Sequence, residues 1–154
     1  MKFIADSMLG RLARWLRLLG HDTLYFADID DSRLLRIARE EERTLLTRDT
    51  RLVRVRGMKN FLLLTDNDPF CQLRQVLREF DLAPSSAAMS GQFTSRCSLC
   101  NTPLEDAVRD DARGHVPPYV YHSAGRFRKC PHCDKFYWQG THQERLLRKL
   151  QDIL

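Results

Sequence analysis

Two sets of side chains in this sequence have the types and spacings that do chemistry. The first is a series of aspartates, each trailing a short apolar run. Asp6 follows Phe3-Ile4-Ala5 at once, Asp49 stands two residues past Thr44-Leu45-Leu46-Thr47, and Asp66 and Asp68 follow Phe61-Leu62-Leu63-Leu64. Asp28, Asp30 and Asp31 form an acidic loop after Thr23-Leu24-Tyr25-Phe26. Carboxylates brought close together repel and cannot all stay ionised unaided. A divalent cation resolves that conflict, and ligands that are all oxygen favour Mg2+ or Mn2+. Such an ion activates water and stabilises an in-line displacement at phosphorus. Asp6, Asp31, Asp49, Asp66 and Asp68 are therefore candidate catalytic residues, with Asp6, Asp31 and Asp49 the candidate Mg2+ or Mn2+ ligands. The competing reading is that aspartate is common at helix N-caps and in strand-to-helix loops.

The second set is Cys97-x-x-Cys100 and Cys130-x-x-Cys133, separated by 29 residues. Each C-x-x-C makes a tight knuckle that points two sulfurs at one ion, and two knuckles complete a tetrahedron around zinc. With four protein ligands no position is left for water, so this zinc is expected to be structural. A chain with no export signal favours metal over disulfides at such a pattern. The spacer leaves room for strands around 116–121 and 125–127. Aromatic residues there (Tyr119, Tyr121, Phe127, Phe136, Tyr137, Trp138) lie among Arg126, Arg128, Lys129 and Lys135. They suit stacking on unpaired bases, but are read first as the small core that such a ribbon needs. Cys71 is expected to be a core or boundary thiol.

The elements that position these groups alternate. Strands are expected over 3–5, 23–26, 44–47 and 61–64. Between them lie a helix begun at Asp6 or Ser7 and stopped by Gly20, a helix over 32–42 capped by Asp31 or Ser32, and a short helix or turn over 50–56. A helix over 69–80 follows, with Asp68 as its N-cap and Pro69 in its first turn. Four apolar runs separated by helices predict a parallel sheet in an α/β fold. Right-handed crossovers then bring every strand's C-terminal end to one rim. In the first helix Leu9, Leu12, Leu16 and Leu19 make an apolar stripe, while Arg11, Arg14 and Arg17 recur every three residues on another face. Arg11, Arg14 and Arg48 are candidate phosphate contacts. The polar stretch over 83–95 reads as a linker between a first domain over 1–82 and a second over 96–154, which ends in an amphipathic helix over 141–154.

The 154 residues, 43% hydrophobic and 29% charged, suit one good core plus a small appendage. No apolar run approaches the roughly 20 residues that span a bilayer, and the first residues lack a signal-peptide pattern, so a cytoplasmic protein without membrane contact is expected. The formal net charge of +5 falls to +3 if the four cysteines bind zinc as thiolates. Twenty of the 25 basic residues are arginine, the side chain suited to bidentate phosphate contacts. Phosphate loops of the G-x-x-x-x-G-K-[ST] or G-x-G-x-x-G type are absent, which removes the usual signature of nucleotide binding. Asp28-Ile29-Asp30 has the D-x-D form of aspartyl-phosphate phosphatases, but Asp31-Ser32 replaces the Thr or Val expected next.

Residues 3–20 (FIADSMLGRLARWLRLLG), 45–49 (LLTRD), 97–101 (CSLCN), 130–133 (CPHC) and 137–142 (YWQGTH) together resemble the Mut-seven C-terminal ribonuclease family. That family is similar to PIN domains, and the resemblance implies a PIN-like three-layer α/β/α domain followed by a small zinc ribbon. It implies Mg2+- or Mn2+-dependent hydrolysis of RNA phosphodiesters. The family's acids carry over onto Asp6, Asp49 and Asp31, with Asp30 a neighbouring candidate and the fourth position open between Asp66 and Asp68. RNA is the implied partner, with association to the ribosome or to RNA processing as a further expectation. Two other classes compete with the ribonuclease: a non-catalytic RNA- or ribosome-binding module, and a phosphohydrolase of small esters.

Overall fold

The computed structural model describes residues 1–82, 96–140, 144, 145, 148 and 149. The expected linker over 83–95, His142 and most of the expected terminal helix lie outside these residues. Strands β1 (Lys2–Ala5), β2 (Asp22–Tyr25), β3 (Thr44–Thr47) and β4 (Phe61–Leu63) form one sheet in the order β2-β1-β3-β4. Every pairing is parallel, as the uninterrupted apolar runs predict.

Alternation along the central strands sorts the helices onto two faces. Phe3, Ala5 and Leu46 point to α1 (Gly10–Leu18) and α4 (Pro69–Glu79), packing with Leu9, Leu12, Leu16, Leu73, Val76 and Leu77. Ile4 and Leu45 point the other way, to α2 (Asp31–Glu40) and α3 (Thr50–Val53), packing with Leu34, Leu35, Ala38 and Leu52. This is a three-layer α/β/α arrangement. Each such buried aliphatic side chain contributes about 1.5–3 kcal/mol.

The ends of the helices depart from expectation in informative ways. Asp68 caps α4 as expected, accepting from the N–H groups of Phe70 and Cys71 at 2.9 and 3.0 Å. Asp30, rather than Asp31 or Ser32, caps α2, accepting from Arg33 N–H at 2.9 Å. Neither Asp6 nor Ser7 caps α1. The helix starts at Gly10 behind Leu9, too far along the chain for either side chain to reach its first free N–H groups. Gly10 is needed for space, since a Cβ there would lie 2.9 Å from the Tyr25 ring. Tyr25 in turn donates to the Ser7 carbonyl at 2.9 Å, tying the loop after β1 to the edge strand.

At the opposite rim, buried Arg43 braces three strands. It donates to Phe3 O, to both carboxylate oxygens of Asp22, and to Glu41. Burial opposes ionisation of Asp22, but hydrogen bonds from Arg43 and Asn101 outweigh it and hold its pKa below the usual carboxylate value.

The second sheet is antiparallel, in the order β5 (Glu105–Ala107), β6 (Phe127–Lys129), β7 (Phe136–Trp138). It is flanked by α5 (Arg109–Ala112) and α6 (Pro118–Ser123). The strand expected over 116–121 is therefore corrected to a helix. Pro118 enters the first helical turn with its φ already set, and Val116 and Val120, four residues apart, share one buried cluster with Phe127 and Phe136. The strand expected over 125–127 begins at Phe127. Phe127, Phe136 and Tyr137 are core residues, while Tyr119 is exposed. No helix among the described residues is long and apolar enough to cross a membrane.

His21, edge-on to Phe3, is held by burial at a pKa of about 4, below its ordinary 6.5. The unfolded chain therefore binds a proton that the folded chain refuses, and stability must fall as pH drops from 6.5 towards 4. Urea midpoints measured at pH 7 and pH 4.5 are expected to differ in the wild type, and to differ less in His21→Gln.

Candidate active site and metal centre

In the order β2-β1-β3-β4 the chain leaves β1 towards one side and returns to its other side in β3. That reversal opens a crevice between the C-terminal ends of β1 and β3, where open α/β sheets bind ligands. Asp6 ends β1 and Thr47 ends β3. Thr47 Oγ1 donates to Asp6 Oδ2 at 2.8 Å and accepts from Asp49 N–H at 3.0 Å. Asp6 Oδ1 accepts from Ser7 N–H at 2.7 Å. One hydroxyl thus links the two acids, and both oxygens of the half-buried Asp6 are oriented by donors.

Asp49 caps α3 through Arg51 N–H at 2.8 Å and forms an ion pair with the Arg51 guanidinium at 3.0 Å. The hydrogen bonds from Arg51, side chain first and then backbone, hold the Asp49 carboxyl below its usual pKa. Asp31, exposed in the first turn of α2, lies near enough for its charge to raise the Arg51 pKa, after the larger effect of Asp49. Sequence reading missed Arg51, the cation among these acids. Its signal was the two-residue spacing from Asp49, where a side chain can fold back onto the cap.

Arg48 sits between Thr47 and Asp49, and its Nε is buried with no hydrogen-bond partner among the described residues. Arg11 and Arg14 are exposed on α1. Asp66 and Asp68 follow β4, one strand farther out. Asp66 accepts from Asp68 N–H at 2.8 Å, and Asp68 is committed to its cap. Asp30 of the D-x-D is committed likewise, and Asp28 is exposed. The acids do not converge as tightly as the cysteines do. Among the described residues, one set of three or more His, Cys, Asp or Glu has ligand atoms all within 4.8 Å of one another, and it is Cys97, Cys100, Cys130 and Cys133.

Those cysteines come from two knuckles with the same backbone. Asn101 N–H bonds Cys97 O at 2.9 Å and Asp134 N–H bonds Cys130 O at 2.9 Å. Asn101 and Asp134 each turn the chain at positive φ, +69° and +57°. Cys133 N–H donates to Cys130 Sγ at 3.2 Å. The Cys100 and Cys130 sulfurs are 3.5 Å apart, too far for a disulfide. A tetrahedron of sulfurs around zinc has edges of about 3.8 Å, so the spacing suits a metal such as zinc.

Their electrostatics suit it too. Burial opposes ionisation of Cys100, but hydrogen bonds from Thr102 and from the other thiols lower its pKa to about 6. Hydrogen bonding to Cys100, and then burial, push Cys133 up to about 12. One sulfur ionises at the expense of the next, and a dication removes that penalty. Tyr137 Oη lies 3.1 Å from Cys97 Sγ and accepts from Ser98 N–H at 3.0 Å.

The first knuckle is seated on the far rim of the parallel sheet. Arg17, buried at 4% exposure, donates through Nε to Thr23 O and through Nη1 to the carbonyls of Ser98 and Leu99. Asn101 donates to Asp22 Oδ1 at 2.7 Å and accepts from Thr23 N–H at 3.0 Å. Arg17 therefore does not share the exposed face of Arg11 and Arg14. Spacing by three lags the helical period, so six residues carry it about 120° around the axis.

The family model for the Mut7-C RNAse domain matches residues 1–150. The chain belongs to that family. A search of curated proteins and a search of solved structures found no match. Membership in a ribonuclease family agrees with an acidic crevice at the β1–β3 switch of this Mut7-C chain, and makes RNA the substrate class it suggests.

Thiol titration of the metal-loaded Mut7-C protein is expected to count at most one group, and five after denaturation with chelator. That one group is the half-buried Cys71, whose pKa burial raises and which therefore reacts slowly. Asp68→Ala is expected to cost about 1 kcal/mol of stability through the lost cap, read as a lower urea midpoint.

Proposed function

We propose that this Mut7-C chain is a metal-dependent ribonuclease that hydrolyses RNA phosphodiester bonds at the crevice between β1 and β3. The observation that supports it most is the hydrogen-bonded series Asp6–Thr47–Asp49 at the switch point of the sheet. The donors there are carboxylate and hydroxyl oxygens, the set that Mg2+ and Mn2+ take. In this reading Asp6, Asp31 and Asp49 hold one or two such ions. The fourth acid is Asp66 or Asp68, each of which already has one carboxylate oxygen engaged by backbone N–H groups. A divalent cation bound there supplies Lewis acidity and a water of lowered pKa.

The remaining work falls to the chain. Thr47 and the Ser7 N–H hold the Asp6 carboxylate in one orientation, so its oxygens need no reordering when ligands arrive. Arg51 holds the Asp49 carboxyl below its ordinary pKa, and would yield part of that ion pair to a bound cation. Arg48, next to Asp49 in the chain, and Arg11 and Arg14, exposed on α1, are the candidate phosphate contacts. The same proposal divides the chain into a nuclease domain over 1–82, a linker over 83–95 and a zinc ribbon over 96–154. It places the protein in the cytoplasm, with association to the ribosome or to RNA processing through its RNA substrate.

The test is cleavage of single-stranded and structured RNA with Mg2+, Mn2+ or EDTA. Asp6→Asn and Asp49→Asn are expected to lose roughly 100-fold or more in rate, since each removes an oxygen ligand from a site worth several kcal/mol. Thr47→Val, which removes only the orienting hydroxyl, is expected to lose about 10-fold. Wild-type rates in Asp6→Asn would overturn the proposal. Metal-independent RNA binding without cleavage would favour the non-catalytic module, and hydrolysis of an aryl phosphate alone would favour the small-ester phosphohydrolase.

A further inference from the structure

We infer that Arg17, carried by the helix that follows Asp6, is the outer-sphere counter-charge of the four-cysteine metal centre, so that metal binding and seating of the first knuckle on β2 are one event. Four thiolates around a zinc dication leave two net negative charges in a partly buried site. Charge of that size needs compensation nearby. Among the described groups around it, three reach the first knuckle: Tyr137, Arg17, and Arg96, whose Nη1 donates at 2.9 Å to the Asn101 carbonyl just outside the C-x-x-C. Tyr137 Oη accepts from Ser98 N–H and lies 3.1 Å from both the Cys97 sulfur and Ser98 Oγ, which compete for its proton. Its phenol is neutral and screens at most one sulfur. Of the two cations, Arg17 is the buried one, at 4% exposure, and the one bonded to the residues between the two cysteines. Its guanidinium donates at 3.0 and 2.9 Å to the carbonyls of Ser98 and Leu99, the two residues between Cys97 and Cys100. It is buried, which raises the strength of its interaction with the sulfurs and the cost of leaving it without them.

The same guanidinium is fixed at its other end by the parallel sheet, through Nε to Thr23 O at 2.8 Å. Asn101, directly after Cys100, repeats the linkage. Its carboxamide oxygen accepts from Thr23 N–H on the outer edge of β2, and its amide nitrogen donates to Asp22. Leu18 packs beside Cys97, Cys100, Cys130 and Tyr137. An edge strand with open N–H groups is thus closed by a metal knuckle instead of another strand. Asn101 reaches that edge from the position at which the knuckle turns through positive φ. Loss of the metal frees the knuckle, and with it the partners of Arg17 and Thr23. This inference does not depend on the ribonuclease reading.

The test is zinc affinity of the full chain, measured by competition with a chromophoric chelator. Partners of this kind typically contribute 10–100-fold in metal affinity, so Arg17→Met is expected to weaken zinc binding by about that factor. Arg17→Lys keeps the charge and is expected to recover part of the loss. Leu18→Ala removes packing at the same contact and is expected to stay near wild type, as is Arg36→Met on the exposed face of α2. Zinc affinity in Arg17→Met equal to wild type, or an equal loss in Leu18→Ala, overturns the inference. Hydrogen exchange on the wild type needs no variant to fold. Stripping zinc is expected to speed exchange at residues 21–25 while residues 3–5 and 44–47 keep their protection. Exchange that changes only within 96–138 overturns the coupling.

Discussion

The register of β1 against β3 is the constraint on which the rest of this structure depends. Ala5 lies opposite Leu46, so the next residues, Asp6 and Thr47, meet across the strand ends at 2.8 Å. A slip of one residue would turn the apolar set of β3 to the wrong layer, because side chains alternate with a period of two. The register is held from both faces. Phe3, Ala5 and Leu46 are buried against α1 and α4, and Ile4 and Leu45 against α2. The pairing that aligns the acids is therefore enforced by the hydrophobic core, with no help needed from the acids themselves. That division lets the crevice carry groups that repel one another, because the stability of the sheet is supplied elsewhere.

The two rims of the parallel sheet do different work with charge. At the C-terminal rim, the aspartates remain partly or fully exposed, and the cation among them, Arg51, is 87% exposed and readily displaced. At the N-terminal rim, arginines are buried and saturated with fixed acceptors: Arg43 on Phe3 O and Asp22, Arg17 on Thr23 O and the first knuckle. Buried cations of this kind are costly to leave unpaired, so they hold geometry. Exposed ones exchange partners at small cost, which suits a site that must admit metal and substrate. The four-cysteine centre belongs to the fixed end. It sits across the sheet from the crevice, with every sulfur claimed by its own cluster, in a place where it can brace the fold.

Much of this was readable in the chain because the signals were local. Asp68 before Pro69 marks a helix start whatever surrounds it, and paired C-x-x-C knuckles converge because each presets two sulfurs. The same locality explains the misreadings. Asp31 and Ser32 are good caps by type, but Asp30 has the extended backbone that the capping position requires. Residues 116–121 suggest a strand only because the spacer has room for one, yet Pro118 in the first turn and the burial of Val116 with Val120 go with a helix. Arg17 belongs by spacing to the series of Arg11 and Arg14, and only the packing of α1 against the knuckle turns it inward. Arg51 had only the faint local signal of its two-residue spacing from Asp49, and the burial of Arg48 Nε had none.

By itself, then, the amino-acid order determined the alternation of strands and helices, the parallel sheet, the acids at the strand ends and the grouping of four cysteines. Each follows from periodicity or from spacing within a few residues. Tertiary structure alone decided that β1 lies between β2 and β3, that Thr47 joins Asp6 to Asp49, and that Arg17 ties the metal knuckle to the edge of the sheet. These contacts join residues 41 and 81 or more positions apart. Over such separations the side chains' own preferences are silent, and the packing of the core chooses which of them meet.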